Sequence, residues 1–152
     1  MDEDRWAGLS GHLTDTGHIL QVRVYFEDTD FSGLVYHASY FRWCERGRSD
    51  FLRLKGVKHS ELASGALTGE PCAFAVRRIN AEFLAPARID EILEVNTSAG
   101  EVTKASILLK QSILREGKTI FRLEAQCVLV SLTGSLLRFP AHLLDRLPAK
   151  RD

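Results

Sequence analysis

Apolar and polar residues alternate along HILQVRVYF, with Leu20, Val22, Val24 and Phe26 on one side and Ile19, Gln21, Arg23 and Tyr25 on the other. A period of two is that of a half-buried strand. The pattern then changes to the period of a helix. In ASYFRWCERGRSDFLRLKG, residues Tyr40, Trp43, Cys44, Gly47, Phe51 and Leu54 share one face, while Arg42, Glu45, Arg46, Ser49 and Arg53 lie largely elsewhere. This spacing predicts an amphipathic helix over 38–54, ended by Gly56 as a left-handed cap. Gly47 within the apolar stripe costs about 1 kcal/mol relative to alanine. Such a glycine calls for a neighbour that approaches the helix backbone closely, and a sheet is the expected one.

From Pro71 onward the chain reads as strands, after a stretch LASGALTGE that reads as loop or frayed helix. CAFAVRRINAEFL alternates, but its apolar parity slips at Arg77–Arg78, as a β-bulge requires. APARIDE breaks the pattern at Pro86. ILEVNTSA is a further strand, and VTKASILLKQSIL and KTIFRLEAQCVLVSL form a hairpin across REGK, with Gly117 supplying the turn. The order is strand, long helix, then four strands. This predicts an α+β fold, a five-stranded antiparallel sheet, its last four strands a meander, curved around one central helix. One sheet on one helix leaves edges and apolar surface uncovered, so a symmetric dimer is expected. Residues 1–17 read as a flexible leader, 18–140 as the folded domain and 141–152 as a tail with a short helical turn.

The 152 residues suffice for one domain with a real core. Twenty Lys plus Arg balance twenty Asp plus Glu, which offers no broad attraction to nucleic acid or to a membrane surface. No apolar run is long enough for a signal peptide or a membrane span. Cys44, Cys72 and Cys127 are widely spaced and odd in number, which points to a reducing compartment and to packed thiols. Cytoplasm is the expected location. His12, His18, His59 and His142 lack ligand spacing, so neither a metal nor a cofactor is expected.

Candidate chemistry lies in EDTDFSGLVYH. Glu27, Asp28 and Asp30 crowd together, Ser32 and Gly33 permit a tight turn, and the predicted helix follows at once. A carboxylate beside a helix N-terminus sits near unpaired N–H groups and the positive end of the dipole. Those N–H groups can stabilise an oxyanion while the acid serves as base or nucleophile, which suits acyl transfer or hydrolysis. Acids before helices also serve simply as caps.

The stretch VYFEDTDFSGLVYHASYFRWCERGRSDFLR resembles the YbgC-type acyl-CoA thioesterases, in the 4-hydroxybenzoyl-CoA thioesterase branch of the hotdog-fold superfamily. Asp28, Asp30, Gly33, Val35, Tyr36, His37 and Tyr40 match the motif, and FAVRRINAEFLAPARIDEILEV is similar to the family's next two strands. The resemblance spans about residues 20–133, and the leader is longer than is usual in the family. It implies a hotdog fold, a homodimer with sheets joined edge to edge or a homotetramer built from it, active sites at the dimer interface, and no metal. It places the catalytic aspartate at Asp30 and the oxyanion N–H at His37, whose imidazole could also position water or substrate.

Asp30 would either attack the thioester carbonyl or activate water. Glu27 and Asp28 are expected to hold the turn, and their charge would raise the Asp30 pKa unless N–H groups offset it. Gly33 allows the turn, and Tyr36 is placed beside the acyl group. Arg77, Arg78 and Arg88 are candidates for the phosphates of coenzyme A, with Ser98, Lys104 and Arg115 in the same pool. Solvated charge on a sheet is the plain alternative for each. The expected substrate is a short- to medium-chain acyl-CoA, aromatic or branched groups included. Acyl-carrier protein as the carrier, and a non-hydrolytic acyl-CoA binding module, are the alternatives.

Overall fold

Five long antiparallel strands wrap one long helix in the computed structural model, which describes residues 3–147. The chain enters through a 3-10 segment, Glu3–Leu9, and a two-residue strand β1, His12–Leu13. It continues as β2 (His18–Arg23), helix α1 (His37–Leu54), helix α2 (His59–Ser64), β3 (Cys72–Phe83), β4 (Ile92–Val102), β5 (Ser106–Arg115), β6 (Lys118–Ser131), β7 (Leu136–Leu137) and α3 (Ala141–Leu144). The sheet order is β1-β2-β4-β5-β6-β3, with β7 paired to β6. The stretch read as a flexible leader thus contributes a strand that pairs His12 with Ile19 and Leu13 with His18.

The expected hotdog architecture is present, with two corrections. First, only β4, β5 and β6 form a meander, because β3 pairs with the far side of β6. Alternation identifies a strand but not its neighbour. The link between β3 and β4 is no hairpin turn: the N–H groups of Leu84 and Ala85 donate to Ile120 O, and Ala87 O accepts from Val35 N–H. Second, the first strand stops at Arg23 rather than Phe26, and Phe26–Asp28 form a 3-10 turn. The Asp28 Oδ2 accepts the Tyr25 N–H at 2.8 Å and closes that turn.

Local chemistry explains the details. In β3, Val76 faces Cys127 and Arg78 faces Gln126, so Arg77 is the extra residue of the anticipated bulge. The β5–β6 turn places Glu116 and Gly117 both at positive φ, 50° and 78°, the twist that a two-residue hairpin needs.

Helix α1 buries Tyr40, Trp43, Cys44, Gly47, Phe51 and Leu52 against the sheet. A Cβ on Gly47 would lie 3.0 Å from Val95 Cγ1 and 3.1 Å from both Gln111 Nε2 and Thr97 Oγ1. The sheet is therefore the close neighbour that the glycine implied. Periodicity missed three members of this face, Ser39, Arg48 and Leu52, and the charged one is the most telling. Arg48 is buried and donates to Gln111 Oε1 at 2.9 Å, while Gln111 Nε2 donates to Cys44 O at 2.8 Å and Thr97 Oγ1 at 2.9 Å.

At the start of α1, Tyr40 stacks on Phe121 at 5.1 Å and its hydroxyl accepts the Ala87 N–H at 3.2 Å. That contact ties the β3–β4 link to the helix. Phe139, Leu143 and Leu147 from the tail are buried in the same core.

Candidate active site

The acid loop is a small hairpin. Thr29 bridges Val35, Asp30 N–H donates to Leu34 O at 3.0 Å, and Gly33 N–H donates to Asp30 O at 3.0 Å. Gly33 sits at φ 82°, and a Cβ there would meet nothing within 4 Å. Its requirement is conformational: a turn followed by a left-handed residue, the usual geometry of a three-residue hairpin loop.

Within this loop Asp30 Oδ1 accepts the Ser32 N–H at 2.8 Å and also the Ser32 hydroxyl. These two bonds, helped by the charge of His37, hold the exposed carboxyl below its ordinary range. The rise that like-charged neighbours would cause is therefore offset, though by Ser32 rather than by the helix. Asp28 turns away: its side chain caps the preceding turn, and its carbonyl accepts Tyr36 N–H at 2.8 Å and Ser39 Oγ at 3.1 Å.

His37 is the first residue of an eighteen-residue helix. Its N–H has no intrahelical acceptor and lies at the positive end of the dipole. Its ring tilts against that of Tyr36, centroids 4.4 Å apart. The hairpin is tied to this helix end at its base, where the Asp28 carbonyl accepts Tyr36 N–H and the Ser39 hydroxyl. Asp30 pairs with Leu34 nearer the tip, within range of the His37 charge.

The arginines separate. A bridge between Leu34 and Arg88 sets Arg88 beside the acid hairpin, with its N–H on Glu91 Oε1 at 2.7 Å. Arg77 and Arg78 lie in mid-β3, five residues or more from Phe83, which packs on Tyr40 at 5.8 Å. At about 3.3 Å per residue, they stand roughly 16 Å from that end of the strand. One chain does not bring them to Asp30. Arg78 instead faces the outer sheet surface with Asn80, Glu124 and Gln126. Arg115 is committed to the fold, donating to Pro86 O at 2.6 Å and pairing with Glu91 at 3.1 Å. Ser98 lines the outer hollow beside Asn96 and Lys110, and Lys104 lends its carbonyl to Phe139 N–H at 2.7 Å.

A cleft of ≈ 750 Å³ begins at the base of the acid loop, where Tyr25, Glu27 and Asp28 line it, and runs along α1 to α2. That volume suits a small ligand. Sequence reasoning missed its far end. There Ser49 Oγ donates to Glu45 Oε1 at 2.8 Å and lies 3.0 Å from His59 Nε2, whose ring packs edge-on against Phe74 at 6.3 Å. The carboxylate binds the serine and not the histidine, so the wiring is not that of a nucleophilic triad. Glu45 and Ser49 are four apart on one helix, a spacing legible in the sequence. The approach of His59 depends on how α2 folds back. Among the described residues no group of three or more His, Cys, Asp or Glu could hold a metal ion, and no helix is long and apolar enough to cross a membrane.

Comparison with known proteins agrees with this geometry. Residues 24–147 match the model of the "Thioesterase-like superfamily". The acyl-CoA thioester hydrolase YbgC of Escherichia coli O6:H1 is 40% identical over 109 residues, which cover 72% of this chain and 77% of that one. The acyl-CoA thioesterase YbgC of Haemophilus influenzae is 37% identical over 103 residues, 68% of this chain and 73% of that one. A probable thioesterase from Bartonella henselae, solved by crystallography, superposes with a TM-score of 0.79 at 40% identity, covering 82% of this chain and 99% of that one. With an acid hairpin at the head of a sheet-wrapped helix, and with relatives of this kind over most of its length, the chain belongs to the thioesterase-like superfamily.

Proposed function

We propose that this chain hydrolyses acyl-CoA thioesters, with the Asp30 carboxylate as nucleophile or general base and the His37 N–H as oxyanion donor. The observation that carries this reading is the Asp30 carboxylate, exposed, held ionised by Ser32 and presented at the N-terminus of α1. The acyl-CoA activity named for the Escherichia coli and Haemophilus relatives supports the substrate class.

Asp30 is ionised near neutrality, as both attack and general-base work require, and attack is the route developed here, with activation of water as its alternative. Ser32 occupies Oδ1, leaving Oδ2 as the attacking atom. Oδ2 adds to the thioester carbon, and the carbonyl oxygen takes up negative charge facing the His37 N–H. Collapse breaks the C–S bond, the thiolate of coenzyme A leaves with the electron pair, and a mixed anhydride remains on Asp30. Water then cleaves the anhydride, regenerating the carboxylate and releasing the acid. A single turnover in ¹⁸O-water tests the covalent route: label in the Asp30 carboxyl requires the anhydride. Label only in the product arises from direct attack by water or from cleavage of the anhydride at its acyl carbon, and trapping with hydroxylamine separates those two.

The acyl group is short to medium in chain length, aromatic or branched groups included, with coenzyme A as carrier and acyl-carrier protein as the alternative carrier. The working unit is a homodimer joined through β3, which ends the sheet and exposes Val76, Ile79 and Phe83. Two antiparallel copies of β3 would carry the Arg77–Arg78 bulge of one subunit towards the acid loop of the other, the route by which those arginines could meet the phosphates. Arg88 meets them from within its own subunit. The three cysteines are buried free thiols, in keeping with a reducing compartment such as the cytoplasm.

A further inference from the structure

The family match begins at residue 24, and the Bartonella structure is almost wholly covered by only 82% of this chain. The described residues before β2 therefore lie outside what the family model accounts for, yet they are firmly docked. The Gly11 N–H donates to Asp50 Oδ2 at 2.9 Å, and Arg53 Nη2 donates to Ser10 Oγ at 2.6 Å. The same Asp50 Oδ2 lies 2.6 Å from Nε2 of the buried His18, and Arg53 binds Oδ1. One carboxylate on α1 thus holds the leader, β2 and its own helix together.

Gly11 shows how closely the leader passes. A Cβ there would fall 2.1 Å from Ile19 O and 2.8 Å from His18 Nε2. Past that point, β1 completes the attachment by pairing with β2.

What the attachment holds in place is the rim of the ≈ 750 Å³ cleft. Gly8 and Leu9 line it, across from Glu45 and Ser49 on α1. Leu9 is 74% exposed, and Leu20 and Val22 of β2 line the same cleft beneath the leader. These three are the aliphatic side chains of a lining that is otherwise mostly polar and charged. Without the leader the cleft would lose the apolar residue at its rim and open on that side.

Resting on the thioesterase reading above, we propose that residues 3–13 form a wall of the acyl cleft and that Leu9 sets acyl-chain preference. A hydrocarbon chain running from the thioester along α1 would lie against Leu9, Leu20 and Val22. The preference would then be this chain's own, written in a segment outside the family match.

The test is the ratio of kcat/KM for octanoyl-CoA over acetyl-CoA in the full chain and in Leu9→Ala. Loss of an aliphatic contact in a binding pocket reduces discrimination by about tenfold or more, and for a rim residue we expect a fall of about fivefold. Gly11→Val, whose side chain collides with β2, lowers the same ratio, and hydrogen exchange then shows β1 amides losing protection while α1 keeps it. An unchanged ratio in folded Leu9→Ala overturns the wall while leaving the thioesterase reading intact. Absence of hydrolysis by the wild type on every acyl-CoA overturns both.

Discussion

Ser32 gives both its backbone N–H and its hydroxyl to a single oxygen of Asp30, two residues before it in the chain. The relationship is local, fixed by the turn that Gly33 completes, and it sets both the charge state and the aim of the acid. Removing the hydroxyl in Ser32→Ala takes away the largest contribution to the lowered pKa. The acid limb of the kcat/KM profile then moves to higher pH, because Asp30 needs a higher pH to ionise. At pH 7 the loss is about tenfold or less, the scale of one solvent-exposed hydrogen bond at about 1 kcal/mol. A pH–rate profile of the two proteins checks the direction of the shift.

Gly33→Ala forces a left-handed alanine into open space. The steric cost is about 1–2 kcal/mol, felt as a lower urea midpoint, and relaxation of the loop moves Asp30 away from the helix end. A proportionally larger drop in turnover than in stability is the expected pattern.

Gly47→Ala sets two effects against each other. Helix propensity gains about 1 kcal/mol, but the new methyl meets Val95, Thr97 and Gln111 at 3.0–3.1 Å, and overpacking costs about 1–3 kcal/mol. The contacts win, since Thr97 and Gln111 are fixed by hydrogen bonds to each other and to Cys44 O. A lowered Tm on thermal unfolding is the expected result.

Asp50 carries a pH-dependent share of stability. Burial pushes its carboxyl up, but hydrogen bonds from Arg53, His18 and the Gly11 N–H outweigh burial and leave it below the ordinary value. A carboxyl lowered in the folded state stabilises above its unfolded pKa of about 3.9 and loses that contribution as pH falls through the folded value. Asp50→Asn removes the charge on which Arg53, His18 and the Gly11 N–H converge, so the cost at pH 7 is about 1–3 kcal/mol. Urea titrations at pH 7 and pH 3 should show a large gap between wild type and variant at pH 7 that narrows at pH 3.

Much of this was legible in the sequence. The bulge at Arg77, the glycine under the sheet and the acid–turn–helix order are local signals, and each follows from parity, size or turn chemistry over a few residues. Sheet order was not: β3 and β4 are adjacent in sequence yet lie at opposite ends of the β4–β6 meander, because the link through Pro86 binds the acid loop instead of turning back. The burial of Arg48 has no local signal, because its partner Gln111 is 63 positions away. His59 met Ser49 only once α2 had folded against α1, and the Gly11–Asp50 contact spans 39 positions. Local pattern thus marked the candidate carboxylate, while the far wall of the cleft depended on contacts that no short window contains.

Thiol release from a panel of acyl-CoAs, acetyl to decanoyl with benzoyl included, using wild type and Asp30→Asn side by side, decides whether Asp30 carries the chemistry. Hydrolysis by the wild type is expected, with a loss of about 10²–10⁴-fold in kcat for the folded variant, the scale of a removed acid–base or nucleophilic group. Equal turnover by the two proteins, or no thiol release by the wild type on any substrate, would contradict the proposed function.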